Sequence, residues 1–175
     1  MKREGLLADD IRRGPHAFVL DLGSGRSPLL DHLEPDRYVG LDLGAADLER
    51  ARGRHARQGY EFIKGDFLEL PLERWRGADV VTTSAVFHHL SDDEVVSLAG
   101  RLEEEVEPSR MVFTDGVTVG PLRGLMTSLD AGEPSRPRES LYDLLRPRFE
   151  VAETWTYVVP FRTFRYFGFE LRPRS

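Results

Sequence analysis

The feature that most constrains this chain is the stretch FVLDLGSGRS, which runs from Phe18 to Ser27. It predicts a buried strand followed by a glycine-rich turn, with Ser27 as the N-cap of a helix and Pro28 as its first residue. Gly23 and Gly25 let the backbone approach a ligand where side chains would block it. Backbone amides at the start of a helix favour an anionic group. The stretch therefore predicts a small-molecule site at the end of a strand.

The same pattern also fits an ordinary tight turn between a strand and a helix. The dinucleotide fingerprint G-x-G-x-x-G needs a third glycine at position 28, where this chain has Pro28. The sequence contains no G-x-x-x-x-G-K-[ST] phosphate loop. A ligand site is favoured by Asp21, two residues before the first glycine. It is favoured further by the acids at the ends of three later strands, Asp42, Asp66 and Asp115.

The first of these acids closes the predicted strand Arg37–Asp42, about 20 residues after the glycine turn. In nucleoside-binding βαβ units an acid at this place holds the ribose, because one carboxylate accepts hydrogen bonds from two hydroxyls. Asp42 is therefore predicted to bind a ribose, and Leu43 to contact the base. A helix-capping or surface aspartate is the alternative.

Two motifs carry a resemblance to a known family. Asp21-Leu22-Gly23-Ser24-Gly25 resembles the first motif, D/E-x-G-x-G-x-G, of class I S-adenosylmethionine-dependent methyltransferases, with Ser27 in place of the third glycine. The segment from Asp79 to Leu90 resembles the fourth-strand signature of small-molecule methyltransferases of the ubiquinone and menaquinone biosynthesis type. The resemblance implies S-adenosyl-L-methionine as cofactor and a small-molecule acceptor. The (N/D)-P-P-(Y/F) motif of enzymes that methylate amide or base nitrogens is missing from this place.

The resemblance also implies cofactor contacts. Asp66 would accept a hydrogen bond from the adenine amine, and Phe67 would pack on the ring. A turn aspartate and a core phenylalanine are the alternatives. The backbone near Ser84 and Ala85 would face the methionine part of the cofactor. The predicted cofactor-binding residues are Asp21, Gly23, Ser24, Gly25, Asp42, Leu43, Asp66, Phe67, Ser84 and Ala85.

His88, His89 and Asp115 are the candidate catalytic residues. An imidazole titrates in the range that suits a general base, and Asp115 at a strand end is placed to orient a substrate or take a proton. The alternatives are a structural role in the turn for the histidines and a loop-anchoring role for Asp115. Adjacent histidines at such a turn point in different directions and the sequence shows no further ligand cluster, so no metal site is predicted.

Strands that alternate with helices predict an α/β, doubly wound sheet. The resemblance implies a Rossmann-like, seven-stranded, mostly parallel sheet in the order 3-2-1-4-5-7-6, with helices on both faces and the last strand antiparallel. Residues 1–175 are predicted to form a single domain with an N-terminal helix within residues 1–14. The glycine- and proline-rich segment 116–138 is predicted to be a substrate lid. The other predicted helices span 28–34, 46–58, 92–107 and 139–145, and strand five spans 110–115.

Composition limits the partners. A formal net charge of −6 gives no electrostatic help to a nucleic-acid partner. The sequence has no apolar run long enough to span a membrane. The absence of cysteine excludes disulfides and thiolate metal sites, and it fits a cytoplasmic location. The oligomeric state is left open.

Two functions other than a methyltransferase fit parts of the pattern. One is a non-catalytic, methyltransferase-like subunit that binds the cofactor or acts through a partner. The other is a nicotinamide-dependent oxidoreductase, against which Pro28 and Asp21 both argue.

Overall fold

The computed structural model of this chain describes residues 3–118, 137–158 and 164–174. Its strands are β1 (Phe18–Leu22), β2 (Arg37–Asp42), β3 (Tyr60–Lys64), β4 (Val80–Ser84), β5 (Arg110–Thr118), β6 (Phe149–Val158) and β7 (Phe164–Pro173). They form one seven-stranded sheet in the order β3-β2-β1-β4-β5-β7-β6. Strands β1 to β5 pair in parallel, whereas β7 pairs antiparallel with β5 and with β6. The predicted fold and strand order are confirmed.

The helices of the described residues are α1 (Arg3–Ile11), α2 (Ala45–His55), α3 (Asp92–Arg101) and α4 (Arg138–Leu145). Short 3₁₀ turns cover Pro28–Asp31, Leu72–Trp75 and Phe87–His89, and a π-helical turn covers Leu102–Val106. Within the described ranges, no helix has the length and apolar character needed to cross a membrane.

Four predicted elements differ from the observed ones. The helix predicted over 46–58 ends at His55, because the next residue, Ala56, leaves helical geometry (ψ 118°). The predicted helix 28–34 is a single 3₁₀ turn, because Ser27 enters it from the left-handed region (φ 52°) without a side-chain cap. The predicted helix 92–107 changes from α to π geometry after Arg101. Strand β5 extends beyond its predicted end, because β7 pairs with it as far as Thr118. Most of the predicted lid, residues 119–136, lies outside the described residues.

The core consists of two apolar clusters on opposite faces of the sheet. Alternation along β1 places Leu20 and Leu22 in one cluster and Val19 in the other, which also contains Leu7 and Ile11 of α1. The same alternation puts Asp21 on the face of Val19, so a carboxylate lies where the strand otherwise contributes apolar side chains. This placement at the end of β1 defines the site.

Candidate active site

The glycine turn after β1 has two glycines with different roles. Gly23 (φ +71°) and Gly25 (φ +53°) are both left-handed, a conformation that favours glycine. A Cβ atom built on Gly23 would lie 2.4 Å from Cγ2 of Val86, whereas a Cβ built on Gly25 would meet nothing within 4 Å. Gly23 is therefore needed for packing, while Gly25 keeps an open space in front of the turn.

That open space belongs to a cavity of about 500 Å³, a volume typical of small-molecule sites. Five of the predicted cofactor-binding residues line it, namely Asp21, Gly23, Ser24, Gly25 and Ser84. The rest of its wall is formed by Leu7 of α1, Arg26 of the glycine turn, Pro28, Leu29 and Asp31 of the first 3₁₀ turn, His32 just after it, and Arg54 of α2. The remaining predicted residues lie at neighbouring strand ends outside this wall.

Asp21 is the buried acid of the cavity, with 5% of its surface exposed. The pKa of Asp21 is raised to about 7, chiefly by burial; a hydrogen bond from Tyr38 opposes the shift and the nearby Asp42 charge adds to it. The Tyr38 hydroxyl donates this bond to Oδ2 of Asp21 at 2.6 Å. A positive charge entering the cavity would favour the ionised form of Asp21.

Tyr38 is a residue of the site that was not predicted from the sequence. It pairs with Val19 in the β1–β2 register, and Gly40 pairs with Asp21. A Cβ atom on Gly40 would lie 2.7 Å from Oγ of Ser24 and 3.0 Å from Cε1 of Tyr38, so this glycine makes room for both side chains. A glycine inside a strand is the one sequence signal that could have indicated such a close approach.

Asp42 links the end of β2 to the glycine turn. Its Oδ2 accepts a hydrogen bond from the Gly25 amide at 2.7 Å, and its Oδ1 accepts one from the Gly44 amide at 2.7 Å. An ionised carboxylate has about four acceptor positions, so capacity for ligand hydroxyls remains. The neighbouring Leu43 side chain is 65% exposed, which leaves an apolar surface beside this carboxylate.

Asp66 and Phe67 lie just past the end of β3, beside the end of β2, where the Gly65 amide donates to the Asp42 carbonyl at 3.0 Å. The Asp66 side chain accepts a hydrogen bond from the Leu68 amide at 2.8 Å. Phe67 is partly buried and packs against the larger core cluster. Both residues therefore also stabilise the turn itself.

Hydrogen bonds join the end of β4 to Thr114 of β5. Oγ of Ser84 lies 3.3 Å from Oγ1 of Thr114, and the Ala85 amide donates to the Thr114 carbonyl at 2.8 Å. Ala85 is left-handed (φ 59°) although it is not a glycine. Strained backbone of this kind is concentrated at functional sites.

The structure brings two of the three predicted catalytic residues together. Oδ1 of Asp115 lies 2.7 Å from Nδ1 of His88, and Oδ2 accepts a hydrogen bond from the His88 backbone amide at 2.9 Å. Asp115 is 3% exposed. With Nδ1–H donated to a carboxylate, the basic lone pair of the imidazole lies on Nε2. The His89 ring lies against the His88 ring at a centroid distance of 3.9 Å, with the two planes tilted by 45°.

No cluster of three or more histidine, aspartate or glutamate side chains is placed to hold a metal ion within the part of the chain that the structure describes.

Residues 19–109, just over half of the chain, match a family model described as a methyltransferase domain. A phthiotriol/phenolphthiotriol dimycocerosates methyltransferase of Mycobacterium leprae is 38% identical over 66 residues, which are 38% of this chain and 24% of that protein. The homologue of Mycobacterium ulcerans is 41% identical over 51 residues, or 29% and 19% of the two chains. The aligned part thus spans a quarter or less of these relatives.

Solved structures resemble almost the whole chain. The N-methyltransferase NodS from Bradyrhizobium japonicum, in complex with S-adenosyl-L-homocysteine, has a TM-score of 0.76 at 14% identity and covers 99% of this chain and 86% of its own. Magnesium protoporphyrin IX methyltransferase from Synechocystis has a TM-score of 0.71 at 16% identity, with 97% and 80% covered. At this level of identity the likeness concerns the fold.

Proposed function

Because this chain belongs to the family of class I S-adenosylmethionine-dependent methyltransferase domains, we propose that it transfers the methyl group of S-adenosyl-L-methionine to a small-molecule acceptor. The observation that supports this most is the cavity that Asp21, Gly25 and Ser84 share at the ends of β1 and β4. In open α/β sheets, ligands bind where the strand order reverses, which is between these two strands.

The residues present fit this cofactor. The open space in front of Gly25 admits a ligand close to the backbone. The buried Asp21 carboxylate suits the positively charged methionine part, and Asp42 with Leu43 suits the ribose and the base. Asp66 and Phe67 at the next strand end would complete the adenine site. The cofactor supplies an electrophilic methyl group, so the protein's contribution is to align the acceptor and exclude water.

His88 is the proposed general base, with Asp115 as its orienting partner. Such a base is needed when the acceptor atom must lose a proton, as a hydroxyl does. The acceptor oxygen would form its bond to the methyl carbon while the carbon–sulfur bond breaks, leaving its electron pair on sulfur. The acceptor proton would move to Nε2 of His88. His89 is exposed and is assigned no proton-transfer role.

Several narrower statements stay predictions. Leu7 in the cavity wall supports a cap formed partly by residues 1–14, and segment 116–138 would supply the rest. A single domain, a cytoplasmic location and the lack of nucleic-acid and membrane partners are predicted from composition and motifs alone.

Calorimetry with S-adenosyl-L-homocysteine, followed by a turnover assay that measures its release from S-adenosyl-L-methionine, tests the proposal. We expect saturable binding with a dissociation constant between about 1 μM and 1 mM, and turnover on at least one hydroxyl-bearing acceptor. Absence of binding would overturn the proposal. Binding without turnover on acceptors of varied size and polarity would favour the non-catalytic subunit.

A further inference from the structure

The turn that carries Asp66 and Phe67 is held from behind by one arginine. We call residues 66–72 the adenine-side turn. Nη1 of Arg101, the last residue of α3, donates to the carbonyls of Phe67 at 3.0 Å and Leu68 at 2.7 Å. Its Nη2 donates to the carbonyl of Leu70. A single guanidinium therefore donates hydrogen bonds to three backbone carbonyls of this turn.

Glu105 completes the arrangement from the π-helical turn. Its Oε1 accepts from Nε of Arg101 at 2.7 Å, and its Oε2 accepts from Nη2 at 3.0 Å and from the Leu72 amide at 2.9 Å. The arginine is thus fixed by a bidentate carboxylate, and the carboxylate also binds the end of the adenine-side turn. Both side chains are partly buried, with 22% and 27% exposed, so these charge-assisted bonds are only partly open to solvent.

The turn needs such partners because the sheet does not supply them. Pairing between β2 and β3 ends with Asp42 opposite Lys64, before the turn begins. Past that point the backbone carbonyls need other donors. The Asp66 side chain closes the beginning of the turn through the Leu68 amide, and Arg101 satisfies the carbonyls that follow.

We propose that Arg101 and Glu105 are positioning residues for recognition of the adenine, because they hold the turn whose Asp66 and Phe67 would contact the base. This inference rests on the proposed function and deepens it. Neither residue touches the ligand. Their removal should loosen base selection while leaving the methyl-transfer end of the site, at β4 and β5, unchanged.

The test compares two ligands that differ at the base, S-adenosyl-L-homocysteine and its hypoxanthine analogue S-inosyl-L-homocysteine. We expect the unmodified chain to prefer the adenine form by about tenfold, the effect of one lost hydrogen bond to a charged group. In Arg101→Ala, this preference should fall to less than about threefold. KM for S-adenosyl-L-methionine should rise, with kcat changed much less. A general loss of structure would instead weaken binding of the adenine and hypoxanthine ligands equally and leave the preference unchanged.

Arg148→Ala is the matched control. Nη1 of Arg148 pairs with Glu103 at 2.6 Å and with Glu104 at 3.4 Å, so it binds the same π-helical turn on other residues. This variant should keep the preference of the unmodified chain. If Arg101→Ala does not fold, Arg101→Lys retains the charge with fewer donors and should show a reduced preference.

Unchanged base preference in a folded Arg101 variant would overturn the inference, as would equal affinity of the unmodified chain for the two ligands. Failure of the unmodified chain to bind either ligand would instead overturn the proposed function, so the two failures are distinguishable.

Discussion

The Tyr38 hydroxyl donates a hydrogen bond of 2.6 Å to Oδ2 of Asp21 at the end of β1. Burial is the largest cause that raises the pKa of Asp21 to about 7, and the bond from Tyr38 partly offsets it. The charge on the acid in the cavity wall therefore changes near neutral pH. Burial and the Asp21 charge also raise the pKa of Tyr38, so the tyrosine remains the donor.

We expect the ligand-free protein to lose stability as pH rises from about 4 to about 7. Since Asp21 has an ordinary pKa of 3.8 and a folded-state pKa of about 7, the folded protein keeps a proton that the unfolded chain releases. Its stabilising contribution is fully present below pH 3.8 and is lost as pH rises to about 7. The slope for one group is at most about 1.4 kcal/mol per pH unit.

Urea unfolding of the unmodified chain and of Asp21→Asn, at intervals between pH 4.5 and 8, measures this contribution. The asparagine keeps an acceptor for Tyr38 and does not titrate, so the difference in free energy of unfolding isolates Asp21. The comparison is needed because burial lowers the pKa of His55. The contribution of His55 to the free energy of unfolding therefore increases as pH rises, opposite to that of Asp21. A difference that stays constant over this range would contradict the assigned pKa.

Asp42→Ala should weaken binding of S-adenosyl-L-homocysteine by about tenfold or more and also lower stability. It removes the acceptor of the Gly25 and Gly44 amides, each bonded at 2.7 Å, and a lost partner of this kind costs about 1–3 kcal/mol. A 2′-deoxyribose analogue separates the two effects. The unmodified chain should prefer the ribose form, and Asp42→Ala should show little preference.

Glu49→Ala is the control for Asp42→Ala, since Glu49 is an exposed acid of α2 that pairs with Arg52. Its affinity for both ligands should stay within about twofold of the unmodified chain, as expected for an exposed ion pair. A ribose preference that survives in Asp42→Ala would count against the ribose role.

The strand ends were predictable because each depends on a local pattern. A short apolar run that ends in an acid places Asp21 and Asp42 at the carboxyl edge of parallel strands, and the motifs in FVLDLGSGRS and around His88 identify the family that fixes the strand order. Such patterns predict the type of a helix or strand but not the backbone conformation of the residue that precedes it. The helix predicted over 28–34 was wrong because the left-handed backbone of Ser27 is not visible from its side chain.

The residue pairs that build the site were not predictable in the same way. His88 and Asp115 are 27 residues apart, and their 2.7 Å contact depends on the parallel register that sets Ser84 opposite Thr114. Tyr38 reaches Asp21 only because β1 and β2 pair with Val19 opposite Tyr38. Sequence alone identifies titratable groups at strand ends, whereas register decides which of them meet.

Gly25→Ala should abolish tight cofactor binding while the chain remains folded. Gly25 is left-handed (φ +53°), and its added Cβ would meet no atom of the described residues within 4 Å apart from its neighbours in the chain. The strain of a left-handed alanine costs about 1–2 kcal/mol of stability. The methyl group would stand where the ligand must approach the backbone, so we expect the dissociation constant to rise at least about tenfold.

Gly77→Ala is a close match for Gly25→Ala. Gly77 is also left-handed (φ +79°), and its Cβ would likewise meet nothing within 4 Å, but it precedes β4 away from the cavity wall. Both variants should lose similar stability in thermal or urea unfolding, and only Gly25→Ala should lose affinity. Equal affinities in calorimetry would show that the glycine turn is not the binding surface.

His88→Gln should lower kcat by about 10²–10⁴-fold, the usual contribution of a positioned general base, with little change in affinity for S-adenosyl-L-homocysteine. His89→Gln should keep kcat within about threefold of the unmodified chain, because the proposed base is His88, whose Nδ1 lies 2.7 Å from Oδ1 of Asp115. The kcat of Asp115→Asn should lie between those of the two histidine variants. Its melting temperature is measured as well, because Asp115 also accepts a hydrogen bond from the Gly116 amide. A folded His88→Gln variant that keeps the rate of the unmodified chain would assign His88 to the structure of the turn, and the acceptor would then lose its proton to water.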